Sequence, residues 1–113
     1  YYTPERFANA VAEDKVVVLD FTAEWCLNCK TLEATVLQTE RVVAALDRPD
    51  VVPMKIDLTG DNPDGRAKLI EAGRRTIPLL VVYDRNGNEV WKSDAYTPSQ
   101  VLEAIAEAGP EGP

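Results

Sequence analysis

Histidine is absent from this chain of 113 residues, and cysteine occurs only twice, at positions 26 and 29. Without an imidazole, the chain cannot form Ser-His or Cys-His nucleophilic pairs, and most zinc sites are excluded as well. Long apolar runs are also missing, because the longest, at 77–83, is far shorter than the roughly 18 residues of a membrane helix. Any chemistry must therefore use cysteine, carboxylate, lysine or tyrosine side chains.

Basic side chains are a minority, with 12 Lys and Arg against 19 Asp and Glu and a net charge of −7. Phosphate groups are bound mainly by clustered Lys and Arg, so nucleic acid and anionic membranes are not expected partners. The length fits one domain, which we expect over residues 1–108, followed by a flexible tail at 109–113. The first residues lack the pattern of a signal peptide, which favours an excised domain or a mature product.

Four apolar runs predict β-strands. The first, Val16–Thr22, is continuously apolar apart from one aspartate, which is typical of a strand buried on both faces. The second is Val51–Asp57, with a proline near its start. Two further strands, Leu79–Tyr83 and 89–92, are separated by a short segment rich in Asp, Asn and Gly, which predicts an antiparallel hairpin.

Pairs of a capping residue and a proline mark three helix starts, at Thr3, Asn62 and Thr97. Gln100 completes a capping box for the last helix, which we expect over Pro98–Ala108, and Gly73 ends the helix that follows Asn62. The stretch that begins at position 26 predicts a helix to about residue 37 and a second, short one from residue 40.

The predicted order of elements is therefore α-β-α-β-α-β-β-α. Helices between the first three strands favour parallel pairing of those strands, and the final hairpin makes the sheet mixed. The fold class is α/β, with helices packed on the sheet.

Cys26 and Cys29 follow the first strand directly and begin the next helix, where open α/β sheets place their chemistry. Cysteines with this spacing at a helix start lie on one face with Cβ atoms roughly 5 Å apart, which is close enough for a disulfide. The positive end of the helix dipole favours a thiolate. We therefore predict a redox-active pair, with Cys26 as the nucleophile and Cys29 as the resolving thiol.

Three less reactive roles for the cysteine pair remain open. A structural disulfide here closes a loop of four residues and contributes only about 2 kcal/mol in the chain-entropy model, against about 3 for a 15-residue loop. A zinc site lacks two ligands, because the chain has no other Cys and no His. If the two cysteines were incidental buried thiols, their position directly after the first strand and beside Trp25 would be a coincidence.

Two carboxylates are candidates for work with the thiols. Asp20 interrupts the apolar first strand, where desolvation raises a carboxyl pKa, and it could accept and return the proton of Cys29. The alternative is that it reaches solvent at the strand end. Glu33 follows Cys29 by four residues and shares its helical face, so it either tunes the thiols or is an ordinary exposed helix residue.

Pro78 stands immediately before the third strand, in the segment Thr76-Ile77-Pro78. A proline cannot donate to a sheet ladder, so it belongs at the start of a strand or in a special turn. From the residues alone, a trans peptide bond is the default.

These features together resemble a known family. The order of elements, Asp20, the motif Trp25-Cys26-x-x-Cys29-Lys30 and Thr76-Ile77-Pro78 resemble thioredoxin-fold oxidoreductases over nearly the whole chain. The segment 20–37 is similar to the C-terminal periplasmic domain of the DsbD family of transmembrane thiol:disulfide interchange proteins, and to relatives such as ScsB. The resemblance implies a thioredoxin-like fold with a central mixed sheet of four or five strands and helices on both faces.

The resemblance also implies roles for residues. Cys26 is the nucleophile, Cys29 the resolving thiol and Pro78 a cis proline beside them. Asp20 and Glu33 are acidic modulators. The surroundings of the site are formed by Trp25, Leu27, Asn28 and Ile77. Neither a metal nor an organic cofactor is implied, because the redox-active group is the Cys26–Cys29 disulfide itself.

The implied function is a reductive electron carrier. A membrane-embedded domain of the same protein supplies electrons, and an N-terminal periplasmic domain or another periplasmic thiol-disulfide protein accepts them. The implied form is a monomeric periplasmic domain tethered to the inner membrane. A stand-alone thioredoxin-like periplasmic disulfide reductase is the main alternative, and a redox-silent binding module is a weaker one.

Overall fold

The computed structural model describes residues 1–109, so the predicted tail lies outside the described residues except for Gly109. No helix in that range is long and apolar enough to cross a membrane. The elements are, in chain order, α1 (Pro4–Ala12), β1 (Val16–Thr22), α2 (Leu27–Leu32), a π-helical turn (Glu33–Leu37), α3 (Glu40–Leu46), β2 (Val51–Asp57), α4 (Pro63–Glu71), β3 (Leu79–Tyr83), β4 (Glu89–Ser93) and α5 (Pro98–Ala108).

The helix boundaries follow local capping. Thr3, Asn62 and Thr97 each accept a hydrogen bond from a backbone N–H three residues further on, as their sequence context predicts. The Gln100 side chain accepts from the backbone N–H of Thr97 at 3.0 Å, which completes the predicted capping box. Gly73 follows α4 with a φ of +80°, a conformation that glycine adopts without strain.

The four strands form one mixed sheet in the order β2-β1-β3-β4. β1 and β2 are parallel, with Val16 opposite Val51, while β4 runs antiparallel to β3. β2 lies at the sheet edge, where its Pro53 costs no ladder bond to a neighbour. Within the described residues, one backbone hydrogen bond continues the pairing beyond β2, from the N–H of Tyr2 to the carbonyl of Lys55.

The expectation of three parallel strands is wrong for β3, which pairs antiparallel with β1. β3 begins at Leu79 opposite Phe21, at the same end of the sheet where β2 stops. The nine-residue helix α4 and the loop 72–78 return the chain to the same end of the sheet at which β2 stops, whereas a parallel crossover must carry it to the opposite end. This return brings the segment before β3 to the end of the sheet that carries the cysteines.

Apolar side chains pack on both faces of the sheet, as the continuously apolar β1 predicts. Alternate residues of a strand point to opposite faces, so β1 contributes to two separate clusters. One cluster joins the sheet to α1 and α4 and includes Val17, Leu19, Phe21, Ile56, Leu69 and Tyr83. The other joins it to α3 and α5 and includes Val16, Val18, Val42, Leu80, Val82, Val101 and Ile105.

The helix predicted to run to about residue 37 is α-helical only as far as Leu32 and continues as a π-helical turn. Two threonines on this segment hydrogen-bond back into the helix, Thr31 Oγ1 to the carbonyl of Leu27 at 3.1 Å and Thr35 Oγ1 to the carbonyl of Thr31 at 2.7 Å. Such back-bonding competes with the regular backbone ladder, and π-helical turns are common at functional sites.

Candidate functional site: a disulfide at a helix start

The two cysteines form a disulfide with their Cα atoms 5.3 Å apart. Cys26 is the N-cap of α2, and its Sγ accepts a hydrogen bond from the backbone N–H of Cys29 at 3.2 Å. Both side chains are nearly covered, with residue exposures of 6% for Cys26 and 1% for Cys29. Cys26 is therefore the outer of the two, and the N–H at the helix start is positioned to stabilise negative charge on its sulfur.

The segment before β3 closes one side of the disulfide. Ile77 packs against the cluster that contains Ala23, Cys26 and Cys29. The Ile77–Pro78 peptide bond is cis, as the resemblance implied and against the trans default of the residues alone. The fold thus joins two segments about 50 positions apart in sequence into one site, which the return of the chain after α4 makes possible.

Two large apolar side chains beside the disulfide are exposed. Trp25 has an exposed fraction of 66% and Leu27 one of 77%. Most large apolar side chains of the chain are buried, so an exposed pair beside a reactive group is typical of a docking surface. Asn28 lies on the same helix and lines a groove together with Pro78.

Asp20 lies in β1 opposite Lys55 of β2, with its carboxyl group largely removed from solvent. Burial is the main cause that raises the pKa of Asp20 to about 8, and a hydrogen bond with Glu33 and the charge of Glu33 act in the same direction. The charge of Lys55 acts against them. At neutral pH, Asp20 is therefore mostly protonated, which suits a group that exchanges a proton with a thiol.

Glu33 is not an ordinary exposed helix residue, because its side chain is only 16% exposed. The π-helical turn directs it towards the sheet, where its Oε1 lies 3.9 Å from Nζ of Lys55. That oxygen is buried without a hydrogen-bond donor from the rest of the described chain, so a protonated Asp20 is the group that can supply one. The two carboxyl groups thus form an interacting pair, in which Glu33 contributes to the raised pKa of Asp20.

Lys55 also belongs to the site, although the sequence prediction did not include it. The sequence feature that could have identified Lys55 is the one that identified Asp20: each is a charged residue between apolar neighbours in a predicted strand. Only the parallel register of β1 and β2 brings the two side chains together.

A tether that was likewise not predicted holds the turn before α2. The backbone N–H of Glu24 donates to Thr59 Oγ1 at 2.7 Å, and the Thr59 hydroxyl donates to Asp57 Oδ1 at 2.5 Å. The bonds from Thr59 lower the pKa of Asp57. The Asp-x-Thr spacing at the end of β2 is a turn signal, but its contact with residue 24 spans 35 positions and has no local signature.

Within residues 1–109, no group of three or more His, Cys, Asp or Glu side chains is arranged to hold a metal ion. The Cys29 sulfur lies 3.8 Å from the backbone carbonyl of Phe21, the residue that follows Asp20 in β1. A disulfide at a helix start can take part in two-electron exchange, and Asp20, a carboxyl group of the adjacent strand whose pKa is raised to about 8, is a candidate for the accompanying proton transfer.

Comparisons with known proteins agree with this geometry. A family model described as thioredoxin-like matches residues 2–85. The thiol:disulfide interchange protein DsbD of Ralstonia nicotianae is 39% identical over 85 residues, which are 75% of this chain but 14% of that protein. Thioredoxin-1 of Saccharomyces cerevisiae is 31% identical over 106 residues, 94% of this chain and 93% of that protein. The crystal structure of the oxidised C-terminal domain of Neisseria meningitidis DsbD matches with a TM-score of 0.74 and 29% identity, over 92% of this chain and 90% of that one.

Proposed function

The chain belongs to the thioredoxin-like family of thiol:disulfide oxidoreductases, and from this premise we propose that it is a reductive electron carrier. In this proposal it receives two electrons from a membrane-embedded domain and passes them to a periplasmic partner domain. The domain itself is then periplasmic and tethered to the inner membrane as part of a longer protein. The similarity to the C-terminal domain of DsbD, in sequence and in structure, supports this assignment.

The observation that carries the proposal is the Cys26–Cys29 disulfide at the start of α2, with Cys26 as the outer sulfur. In the reduced domain, the Cys26 thiolate attacks one sulfur of a partner disulfide, forms a mixed disulfide and releases the other partner sulfur as a thiolate. Cys29 then loses its proton and attacks the Cys26 sulfur, which reforms the internal disulfide and releases the second partner thiolate. The domain is oxidised by two electrons and the partner is reduced by two.

A reductive direction follows from the charges near the sulfurs. A cation beside a thiolate stabilises the reduced form and makes a disulfide a strong oxidant. Leu27 and Asn28, between the cysteines, carry no charge, and Asp20 and Glu33 bring two acidic groups, opposed by the single cation of Lys55, to the strand and helical segment next to the cysteines. Both features disfavour the thiolate, so they favour loss of electrons from the reduced domain.

The first prediction tests the exchange activity. With dithiothreitol as the electron source, the domain is expected to shorten the lag before reduced insulin precipitates, because an accessible dithiol transfers electrons faster than the small reductant does. Turbidity is recorded with and without the domain, and dithiothreitol alone is the control. An unchanged lag would support the redox-silent binding module instead.

A stand-alone thioredoxin-like reductase is a second candidate, favoured by the match to yeast Thioredoxin-1 over nearly the full length of both chains. The two candidates differ in their redox partners. A stand-alone thioredoxin is expected to accept electrons from thioredoxin reductase, whereas a carrier of the DsbD type is expected to pass electrons on to the N-terminal domain of DsbD. Rapid reduction by thioredoxin reductase, with no transfer to that domain, would favour the second candidate.

The second prediction assigns the nucleophile. In the reduced domain, Cys26 is expected to react with iodoacetamide before Cys29, because it is the outer sulfur and receives the N–H bond at the helix start. Brief alkylation with a limiting amount of reagent, followed by peptide mapping, measures the order. First labelling of Cys29 would reverse the two roles.

A further inference from the structure

A groove of about 500 Å³ opens beside the disulfide, between α2, the segment before β3 and the turn that follows β4. Asn28 and Thr31 form its side on α2, and Thr76 and Pro78 belong to the opposite segment. Of the described residues that line the groove, Asp94 alone carries a charge.

The turn that carries Asp94 is fixed on both sides. Ser93 Oγ accepts a hydrogen bond from the backbone N–H of Ala95 at 3.1 Å and donates one to the carbonyl of Ala95 at 2.7 Å. The next residue, Tyr96, is buried and packs edge to face against Trp91, with 6.2 Å between ring centroids. These contacts fix the backbone on either side of Asp94, so its short side chain stays within reach of the groove.

The Asp94 carboxylate is exposed and forms no ion pair with any residue in 1–109. By contrast, Lys30 on α2 and Lys55 on β2 each have an acidic partner. An unpaired carboxylate in a groove beside a reactive sulfur attracts a cation from a bound molecule.

Exchange requires the partner cysteine to reach Cys26. Asn28 lies between Cys26 and Cys29 in sequence and lines the groove, so we expect the residues that flank the partner cysteine to pass beside it. An extended segment advances about 3.3 Å per residue, so a few residues span the groove. The side chains of Asn28 and Thr31 offer hydrogen bonds to such a segment, and Asp94 lines the same groove.

We propose that Asp94 is a specificity-determining residue, which selects partner segments that carry Lys or Arg within a few residues of the reactive cysteine. The proposal rests on the exchange function above, since it concerns the partner of the same reaction. The net charge of −7 acts in the same direction over longer range. Arg74 and Arg75 lie in the exposed loop directly before Thr76 and repel a basic partner residue that comes close to them. The preference for Lys or Arg therefore holds for partner residues that come close to Asp94.

The third prediction uses short peptides as probes. Each is an acetylated and amidated peptide with one cysteine, oxidised to a symmetrical disulfide dimer, with Lys, Ala or Glu placed one to three positions before or after the cysteine. The pre-reduced domain becomes oxidised as one dimer yields two free peptide thiols, and quenched samples are resolved by chromatography. At low ionic strength, we expect the best-placed Lys probe to react about tenfold faster than the Glu probe at the same position, and salt to reduce this ratio.

Asp94→Asn keeps the size of the side chain and is expected to remove most of the preference for Lys over Glu, leaving the smaller preference that the net charge of the domain causes, with the Ala probe almost unaffected. Glu107→Gln is the matched control, because it removes one exposed negative charge from the far part of α5 and should preserve the ratio. Ser93→Ala should lower the ratio partly by loosening the turn.

Three outcomes would overturn the inference: no preference in the wild-type domain at any position, a preference for Glu, or equal effects of Asp94→Asn and Glu107→Gln. In each of these cases, normal reduction of the Ala probe would leave the proposed function intact. If the reduced domain failed to react even with the Ala probe, the exchange function itself would be rejected.

Discussion

Replacing Cys26 by serine is expected to lower the rate of insulin reduction on the order of 10³-fold or more, the scale of loss when an enzyme loses its nucleophile. A hydroxyl group is not ionised near neutral pH and does not exchange with disulfides. The fold should be retained, because serine is a strong N-cap and its oxygen can accept the backbone N–H bond of Cys29. The rate is measured by insulin turbidity, and circular dichroism checks the fold.

Cys29→Ala provides the complementary result. Cys26 in this variant can still attack a partner disulfide, but no second thiol releases the partner, so a stable mixed disulfide should accumulate. The trapped species is detected by mass spectrometry and is reversed by dithiothreitol. Near wild-type turnover in Cys26→Ser, or trapping only in that variant, would assign the nucleophile to Cys29 instead.

The second large effect is expected at the carboxyl pair formed by Asp20 and Glu33. Negative charge near the sulfurs disfavours the thiolate, so the pair should hold the pKa of the Cys26 thiol above the value that the helix start alone would give. Because the two carboxyl groups interact, removing one of them changes the environment of the other, and the effects of the two single changes are not expected to add. The double variant Asp20→Asn, Glu33→Gln should therefore lower the Cys26 pKa by about one unit or more, beyond the sum of the single changes.

Thiolate absorbance or the iodoacetamide rate, followed against pH in the reduced domain, measures this pKa. Asp61→Asn is the control, since it removes an exposed carboxylate outside the pair. An unchanged Cys26 titration in the double variant, or a wild-type thiol already ionised well below neutral pH, would show that the carboxyls have no influence on the sulfur.

The same pair gives a pH dependence of stability whose sign can be stated. The pKa of Asp20 rises from 3.8 to about 8 on folding, so the stability that it contributes is fully present below about pH 4 and is lost as the pH rises through 8. Asp20→Asn should therefore raise the free energy of unfolding by several kcal/mol above pH 8, since each unit of pKa shift corresponds to about 1.4 kcal/mol, and change it little near pH 4. Urea unfolding of the oxidised domain, in which no thiol titrates, measures the difference. Equal effects at both pH values would contradict a buried, protonated Asp20.

Much of this molecule was predictable from its sequence, because the relevant interactions are local. Strand β1 is a run of β-branched and apolar residues, and the starts of α1, α4 and α5 each depend on one capping side chain and the N–H three residues ahead. The spacing of Cys26 and Cys29 at a helix start likewise needs no distant residue to bring the two sulfurs together.

The path of the chain between β2 and β3 was not predictable in this way. A helix between two strands usually indicates a parallel crossover. The end of the sheet to which the chain returns depends, however, on how α4 and its loop pack, and this packing is a property of the whole fold. The antiparallel β3 that results is what brings Ile77 and Pro78 to the disulfide.

The sequence by itself determined the elements, their caps and the chemical identity of the site, because each is encoded within a few adjacent residues. The tertiary structure alone decided which charges meet: Lys55 beside Asp20 and Glu33, the Thr59 tether on the active-site turn, and Asp94 at the end of the groove next to Asn28. These contacts join positions tens of residues apart. Their physical cause is strand register and helix packing, which follow from burial of the whole core and leave no pattern in any short stretch of the chain.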